Sequence, residues 1–328
     1  MTQRFLVTGA AGFIGSHLSE ALIGRGHEVV GVDNFDSFYA REVKERNLSG
    51  LLRRPGFQFV EADVARDHLP LEGLAAVIHL AAKPGVRPSV EDPASYMEAN
   101  VTATARLLDG ARRIGLNRIV FGSSSSVYGN ATRAPFAETA PAITPISPYA
   151  ASKRAGELLA HAFAHLYPLQ IICLRFFTVY GPRQRPDLAI HKFTDLLARG
   201  RPVRMHGDGS SERDYTYITD CLDGILAALD WTATAAPGTV ETVNLGGGER
   251  VRLDRLIALI AKTLGREAEI ERYPDQPGDV RLTDADLAHA GRVLGFKPRV
   301  GIEEGIRKFV DWYEESHGRQ SRATGRAG

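Results

Sequence analysis

The stretch that most narrows the fold lies close to the start of the chain. The apolar run "RFLVT" (Arg4–Thr8) leads straight into "GAAGFIG", with glycines at Gly9, Gly12 and Gly15, and then into "FIGSHLSEALIGRG". In that last stretch Phe13, Ile14, Leu18, Ala21 and Leu22 recur at helical spacing, and Gly24 and Gly26 close it. A strand that turns on glycines into a helix opens a doubly wound α/β sheet of the Rossmann type. The glycines let the backbone turn tightly and approach a pyrophosphate, while the helix N-terminus offers N–H groups and the positive end of its dipole. The spacing is G-x-x-G-x-x-G rather than G-x-G-x-x-G, so the flanking strand and helix carry the inference.

The next apolar run, "EVVGVD", ends at Asp33, 18 residues beyond Gly15. A carboxylate at the tip of the second strand can bind the adenosine ribose hydroxyls and repels a 2′-phosphate, which favours NAD over NADP. Further short apolar runs at 57–60, 76–80, 118–121 and 169–174 alternate with helical stretches such as 96–113 and 149–165. That rhythm predicts a parallel sheet covered on both faces. After residue 174 prolines and glycines become denser, with helices expected at 188–199, 220–231, 253–264 and 302–315. The expected division is an NAD-binding Rossmann domain over 1–175, with a returning segment near 214–245, and a smaller α/β substrate domain over 176–316. The polar, glycine-rich 317–328 reads as a disordered tail.

Composition excludes more than it selects. Hydrophobic residues make up 44% and charged residues 24% of the 328, ordinary for a globular protein. A net charge of +1 gives no reason to expect nucleic acid or an anionic membrane as partner. The two cysteines, Cys173 and Cys221, sit in apolar runs and read as buried thiols, not a disulfide framework. No apolar run reaches the roughly 18–20 residues of a membrane span, no signal peptide precedes the first strand, and no metal site is expected. The cytosol is the expected compartment.

Two further patterns carry chemistry. In "YAASK", Tyr149 and Lys153 lie four residues apart and share one helix face. A fixed ammonium, together with the positive charge of a bound nicotinamide, would stabilise the phenolate, and lowering the phenol by about three units takes roughly 4 kcal/mol. The product is a general base that works near neutral pH. The run "GSSSSVYG" (122–129) follows a strand end, where ligands of open α/β sheets bind, and its hydroxyls can bond a reacting alcohol. A third stretch, "TVYGPRQRPDLA" (178–189), leaves the core with Arg183 and Arg185 held between Pro182 and Pro186.

These residues resemble the extended short-chain dehydrogenase/reductase family over nearly the whole chain. "TGAAGFIGSHL" is similar to its cofactor fingerprint, "YAASK" to its Tyr-x-x-x-Lys pair and "SSSSVYG" to its catalytic serine loop. Within the family the chain most resembles nucleotide-sugar 4-epimerases. The resemblance implies inversion of C4 of a UDP-sugar through a transient 4-keto sugar, with NAD as cofactor. It implies Tyr149 as the base, Lys153 as its partner and Ser124 as the catalytic hydroxyl. For the cofactor it implies Gly9, Gly12, Phe13, Ile14, Gly15, Asp33, Asn34, Asp63, Val64, Leu80, Ala81, Ala82, Asn100, Ser123 and Phe176 beside Tyr149 and Lys153. For the substrate it implies Ser124, Ser125, Ser126, Arg87, Thr178, Arg185, Arg213 and Asp279. Homodimer formation through the helices at 96–113 and 149–165 is implied in the same way.

Two local features bear on the sugar. Family members that eliminate place an Asp–Glu pair just before Val-Tyr-Gly, and the UDP-glucuronate decarboxylases a Glu, where this chain has Ser125 and Ser126. "RFFTVYGPRQRPDLA" resembles the UDP-glucuronate 4-epimerases, in which a threonine and an arginine, here Thr178 and Arg185, hold the sugar carboxylate. Many hexose epimerases have asparagine at the Thr178 position, and many UDP-galactose 4-epimerases lysine at Pro84. The expected substrate is UDP-glucuronate. The alternatives are a UDP-glucose or UDP-N-acetylglucosamine 4-epimerase, a decarboxylase, and a non-catalytic NAD-binding regulator.

Overall fold

The order of strands follows from one reversal in the winding. The computed structural model describes residues 1–130, 133–274 and 281–324, with side chains to residue 317. Its strands are β1 (Arg4–Thr8), β2 (Glu28–Asp33), β3 (Phe57–Glu61), β4 (Ala76–His79), β5 (Arg118–Ser124), β6 (Gln170–Phe176), β7 (Thr178–Tyr180), β8 (Val203–His206), β9 (Glu212–Tyr217), β10 (Val240–Leu245), β11 (Arg250–Arg252) and β12 (Ile270–Tyr273). Seven form one parallel sheet in the order β10-β6-β5-β4-β1-β2-β3. The chain winds from β1 out to β3, returns to the centre at β4, and winds the other way. A crevice opens at the carboxyl ends where the direction reverses, between β1 and β4.

Each central strand feeds two cores, because successive side chains point to opposite faces. Phe5 and Val7 pack on one face of the sheet and Leu6 on the other. Ile172 and Leu174 oppose Ile171 and Cys173 in the same way. Strands buried on both faces read as continuous apolar runs, which is why they were visible in the sequence.

The helices of the first half are α1 (Phe13–Gly24), α2 (Arg41–Ser49), α3 (Val86–Glu91), α4 (Pro93–Tyr96), α5 (Ala103–Arg113) and α6 (Pro148–Leu166). The start of α6 is set by its own residues. The Ser147 hydroxyl accepts the Ala150 N–H at 3.1 Å, and Pro148 occupies the first turn, where its missing N–H costs nothing. The stretch expected as a single helix over 96–113 is a composite. A π-helical turn, Met97–Thr102, joins α4 to α5. It carries Asn100, whose buried amide donates to the Lys83 carbonyl and the Ser152 hydroxyl and accepts the Lys83 N–H. The turn spans six residues, too few for the helical period on either side to reveal the inserted residue in the sequence.

The second half adds α7 (Ala189–Ala198), α8 (Ile218–Thr234), α9 (Leu253–Thr263), α10 (Ala288–Leu294) and α11 (Ile302–Thr324), with small sheets β11-β9-β7 and β12-β8. Helix α11 runs to Thr324, past residue 317, and 325–328 lie outside the described residues. The two halves share apolar packing: Phe5 and Ile172 of the large sheet belong to the same cluster as Phe193, Ile257 and Phe309. Among the described residues no helix is long and apolar enough to cross a membrane, and no His/Cys/Asp/Glu group could hold a metal ion.

Candidate active site

The crevice at the winding reversal is a cavity of about 490 Å³. One end is built by the glycine turn. Gly9 adopts φ +72°, and a Cβ there would lie 2.9 Å from the Ala81 nitrogen at the end of β4. A Cβ at Gly15 would collide with the Gly9 carbonyl. Glycine is therefore required for α1 to start directly above β1. The N-cap of α1 is Gly12, which brings no side chain to its N–H groups, and that end lines the cavity with Phe13 and Ile14.

Asp33 closes the same end from the tip of β2. Its buried carboxylate accepts the Ala11 N–H at 3.2 Å and the Phe35 N–H at 2.9 Å. Lys44, on α2, donates to it at 3.2 Å with both side chains under a tenth exposed. Sequence reading missed Lys44, since α2 is polar along its length and nothing in its spacing marks one lysine as buried. Asn34, Asp63 and Val64 line the wall beside Asp33, and Leu80, Ala81 and Ala82 form the floor. A glycine cradle under an uncapped helix end, with a carboxylate at the tip of β2, fits a dinucleotide pyrophosphate and ribose.

The other end is built by β5, α6 and β7. Ser123, Ser124, Ser125 and Ser126 line it together with Tyr149, Lys153, Phe176, Thr178 and Arg185. Because β5 and β6 are in register, Ser124 stands beside Phe176. The Ser124 hydroxyl lies 3.1 Å from that of Ser126 and accepts the Ser126 N–H at 3.2 Å. Lys153 donates to the Gly122 carbonyl at 2.8 Å. The expectation is a phenol lowered by Lys153 together with a bound nicotinamide, and within the protein itself other groups act on the phenol. Burial raises the Tyr149 phenol above its usual value, while a hydrogen bond with Ser124 and the charge of Arg185 pull it back down. Burial also lowers Lys153 to about 8, and the neighbouring Glu157 opposes that drop. Lys153 donates to a backbone carbonyl, so the polar groups set on the phenol are Ser124 and Arg185.

Glu157, one further turn along α6, is a second residue the sequence reading passed over. Its fully buried carboxylate accepts from Ser123 at 2.6 Å, from Arg154 at 2.7 Å, and from two nitrogens of the buried Arg175 at 2.9 Å each. These bonds hold it below the usual carboxylate range despite burial. Its position, four residues after Lys153 on the face of Tyr149, was a signal that could have found it.

The loop after β7 is pinned at every arginine. Arg183, at φ +65°, donates to Glu20 at 2.9 and 3.1 Å and to Ser16 at 3.4 Å, tying the loop to α1. Gln184 is buried and donates to the Val179 carbonyl. Arg185 lines the cavity and is paired with Asp187.

Among the described residues, three of those expected do not line the cavity. Asn100 is buried behind it in the contacts given above. Arg87, on α3, is exposed and does not line it. Arg213, on β9, is half-buried outside it and donates to the Glu212 carbonyl. Asp279 lies outside the described residues.

Comparison with known proteins agrees with this geometry. Residues 5–246 match the model of the "NAD dependent epimerase/dehydratase family". A Rhizobium meliloti protein named "Probable UDP-glucuronate 4-epimerase" is 40% identical over 339 residues, covering 97% of this chain and 98% of that one. A UDP-glucuronate 4-epimerase of Thermodesulfobacterium geofontis is 37% identical, covering 95% and 96%. Among solved structures, UDP-glucuronic acid 4-epimerase from Bacillus cereus, in complex with UDP-glucuronic acid and NAD, superposes with a TM-score of 0.90. It is 37% identical, covering 95% of this chain and 99% of that one.

Proposed function

This chain belongs to the NAD dependent epimerase/dehydratase family, and on that premise we propose that it inverts C4 of UDP-glucuronate to give UDP-galacturonate. At the coarser level it is an NAD-dependent nucleotide-sugar epimerase. The observation that carries the finer reading is the sugar end of the cavity. Thr178 and Arg185 line it on one side, and Ser124, Ser125, Ser126 and Tyr149 on the other. A guanidinium there suits a substrate with a carboxylate at C6. The acidic side chains that line the cavity, Asp33 at the end of β2 and Asp36 and Asp63 on the loops after β2 and β3, lie at the other end. Ser125 and Ser126 stand where family members that eliminate carry an Asp–Glu pair and decarboxylases a Glu, which speaks against both. The names of the relatives agree with the same substrate.

NAD, when bound, supplies the oxidation that makes the 4-hydroxyl a ketone and the reduction that reverses it. Gly9, Gly12 and Gly15 would hold its pyrophosphate, and Asp33 with Lys44 its adenosine ribose. Tyr149 takes the proton of the 4-hydroxyl and returns it to the same oxygen after the sugar has presented its other face. Ser124 bonds the same oxygen, and the charge of Arg185 lowers the cost of the phenolate. Inversion requires the sugar ring to turn over while the diphosphate stays held.

The test is incubation of the protein with UDP-glucuronate, UDP-glucose and UDP-N-acetylglucosamine, with products followed by NMR. UDP-galacturonate is expected from the first. Conversion of UDP-glucose with UDP-glucuronate left intact refutes the reading. The protein is also proposed to be a homodimer through the helices around 96–113 and 149–165, where Met97 and Leu158 are exposed. A monomeric mass in sedimentation refutes that.

A further inference from the structure

Arginine has two edges that can fork a carboxylate, one made by Nε and Nη2 and one by the two Nη groups. In Arg185 the first edge is already taken. Nε donates to Asp187 Oδ1 and Nη2 to Asp187 Oδ2, both at 2.9 Å. Asp187 itself does not line the cavity, whereas Arg185 does. The face of the guanidinium is held as well: its central carbon lies 5.5 Å from the centre of the Phe38 ring. Phe38 stands on the loop after Asp33 and packs against the Gly85 backbone, where a Cβ would lie 3.2 Å from the ring. One edge is thus fixed by Asp187 from outside the cavity and one face by Phe38, which lines it, and the Nη edge is left for the sugar.

We infer that Asp187 is a positioning residue for the reaction, setting the plane in which Arg185 meets the C6 carboxylate of the substrate. This rests on the UDP-glucuronate reading above. The consequence is chemical. A 4-keto uronic acid loses carbon dioxide when its C5–C6 bond lines up with the C4 carbonyl π system. That bond breaks, carbon dioxide leaves, and the electron pair stays as the enolate across C4 and C5, which takes a proton at C5. A guanidinium free to swing still attracts the carboxylate but lets the bond rotate into line. One held by Asp187 and Phe38 does not. Asp187 therefore governs the fate of the intermediate more than the binding of the nucleotide.

The experiment compares wild type with Asp187→Ala and Asp187→Glu in the NAD-loaded protein. It measures KM for UDP-glucuronate, carbon dioxide released per turnover, the UDP-4-keto-pentose by-product by NMR, and the Kd of UDP by calorimetry. In Asp187→Ala the KM rises about tenfold, the worth of one charge-assisted hydrogen bond. The by-product fraction rises with it, and the Kd of UDP stays at the wild-type value. Asp187→Glu, which still reaches both nitrogens, recovers most of the product ratio. A by-product fraction unchanged in Asp187→Ala overturns the inference, and so does a parallel loss of UDP affinity, the sign of general damage to the loop. Wild-type protein inert on UDP-glucuronate overturns the substrate reading and takes this inference with it, whereas active wild type with an indifferent variant overturns the inference alone.

Discussion

At the scale of single residues, the chemistry depends on which charges stay buried near Tyr149. On the proposed mechanism, replacing Tyr149 by Phe removes the proton acceptor and leaves the glycine cradle untouched. Turnover should fall by at least about a thousandfold, within the range of losing a general base, with NAD still bound by its absorbance. Residual activity near wild type would show that another group takes the proton. Lys153 gives a pH dependence with a definite sign. Its usual value of 10.5 is lowered to about 8 by burial, so it is charged below that pH and neutral above it. Activity that needs the charge should fall as pH rises through about 8, and a pH–rate profile checks this. Stability moves the other way, because between about 8 and 10.5 the unfolded chain binds more protons than the folded one, so stability rises across that window. Tyr149 and Lys153 were legible from their spacing on one helix face, and Ser124 from the resemblance of its loop to the family's serine loop. The pairs Lys44–Asp33 and Arg185–Asp187 were not, because a sequence does not show which carboxylate a lysine or arginine will meet.

At the scale of elements, helix α6 organises the site. It presents Tyr149, Lys153 and Glu157 at successive turns, and Glu157 draws β5, through Ser123, and β6, through Arg175, onto that helix. Removing the carboxylate leaves the Arg175 guanidinium buried without its partner, 2% exposed. Glu157→Ala should cost about 3–5 kcal/mol, as breaking a buried pair does, read as a drop in denaturant midpoint. Glu157→Gln, which keeps the shape and part of the bonding, should cost less. A loss under about 1 kcal/mol in Glu157→Ala would show that the pair barely contributes beyond a surface salt bridge. The strands and long helices were legible from apolar runs and period. The π-helical turn at Met97–Thr102 was not. Neither was the pinning of the 181–188 loop: its prolines suggested stiffness, but the tie of Arg183 to α1 crosses more than 160 residues of chain.

At the scale of the whole molecule, one apolar cluster runs from the large sheet into the second half of the chain. Phe309, on the last helix, is fully buried in it. Phe309→Ala should cost about 3–5 kcal/mol as a cavity in a packed core. Because the core is shared, unfolding should remain one transition by calorimetry and by cofactor release. Two separated transitions would show that the halves hold themselves together independently. The sequence by itself determined the parallel sheet, the glycine turn and the Tyr–Lys pair, because each is written in local spacing that backbone geometry translates directly. Only the tertiary structure decided that Arg87, Arg213 and Asn100 stand outside the cavity, that Lys44 faces Asp33, and that Arg185 lines the cavity with one edge already paired to Asp187. Those outcomes depend on contacts between segments far apart in the chain, or on which of several nearby charges pair once the backbone is folded.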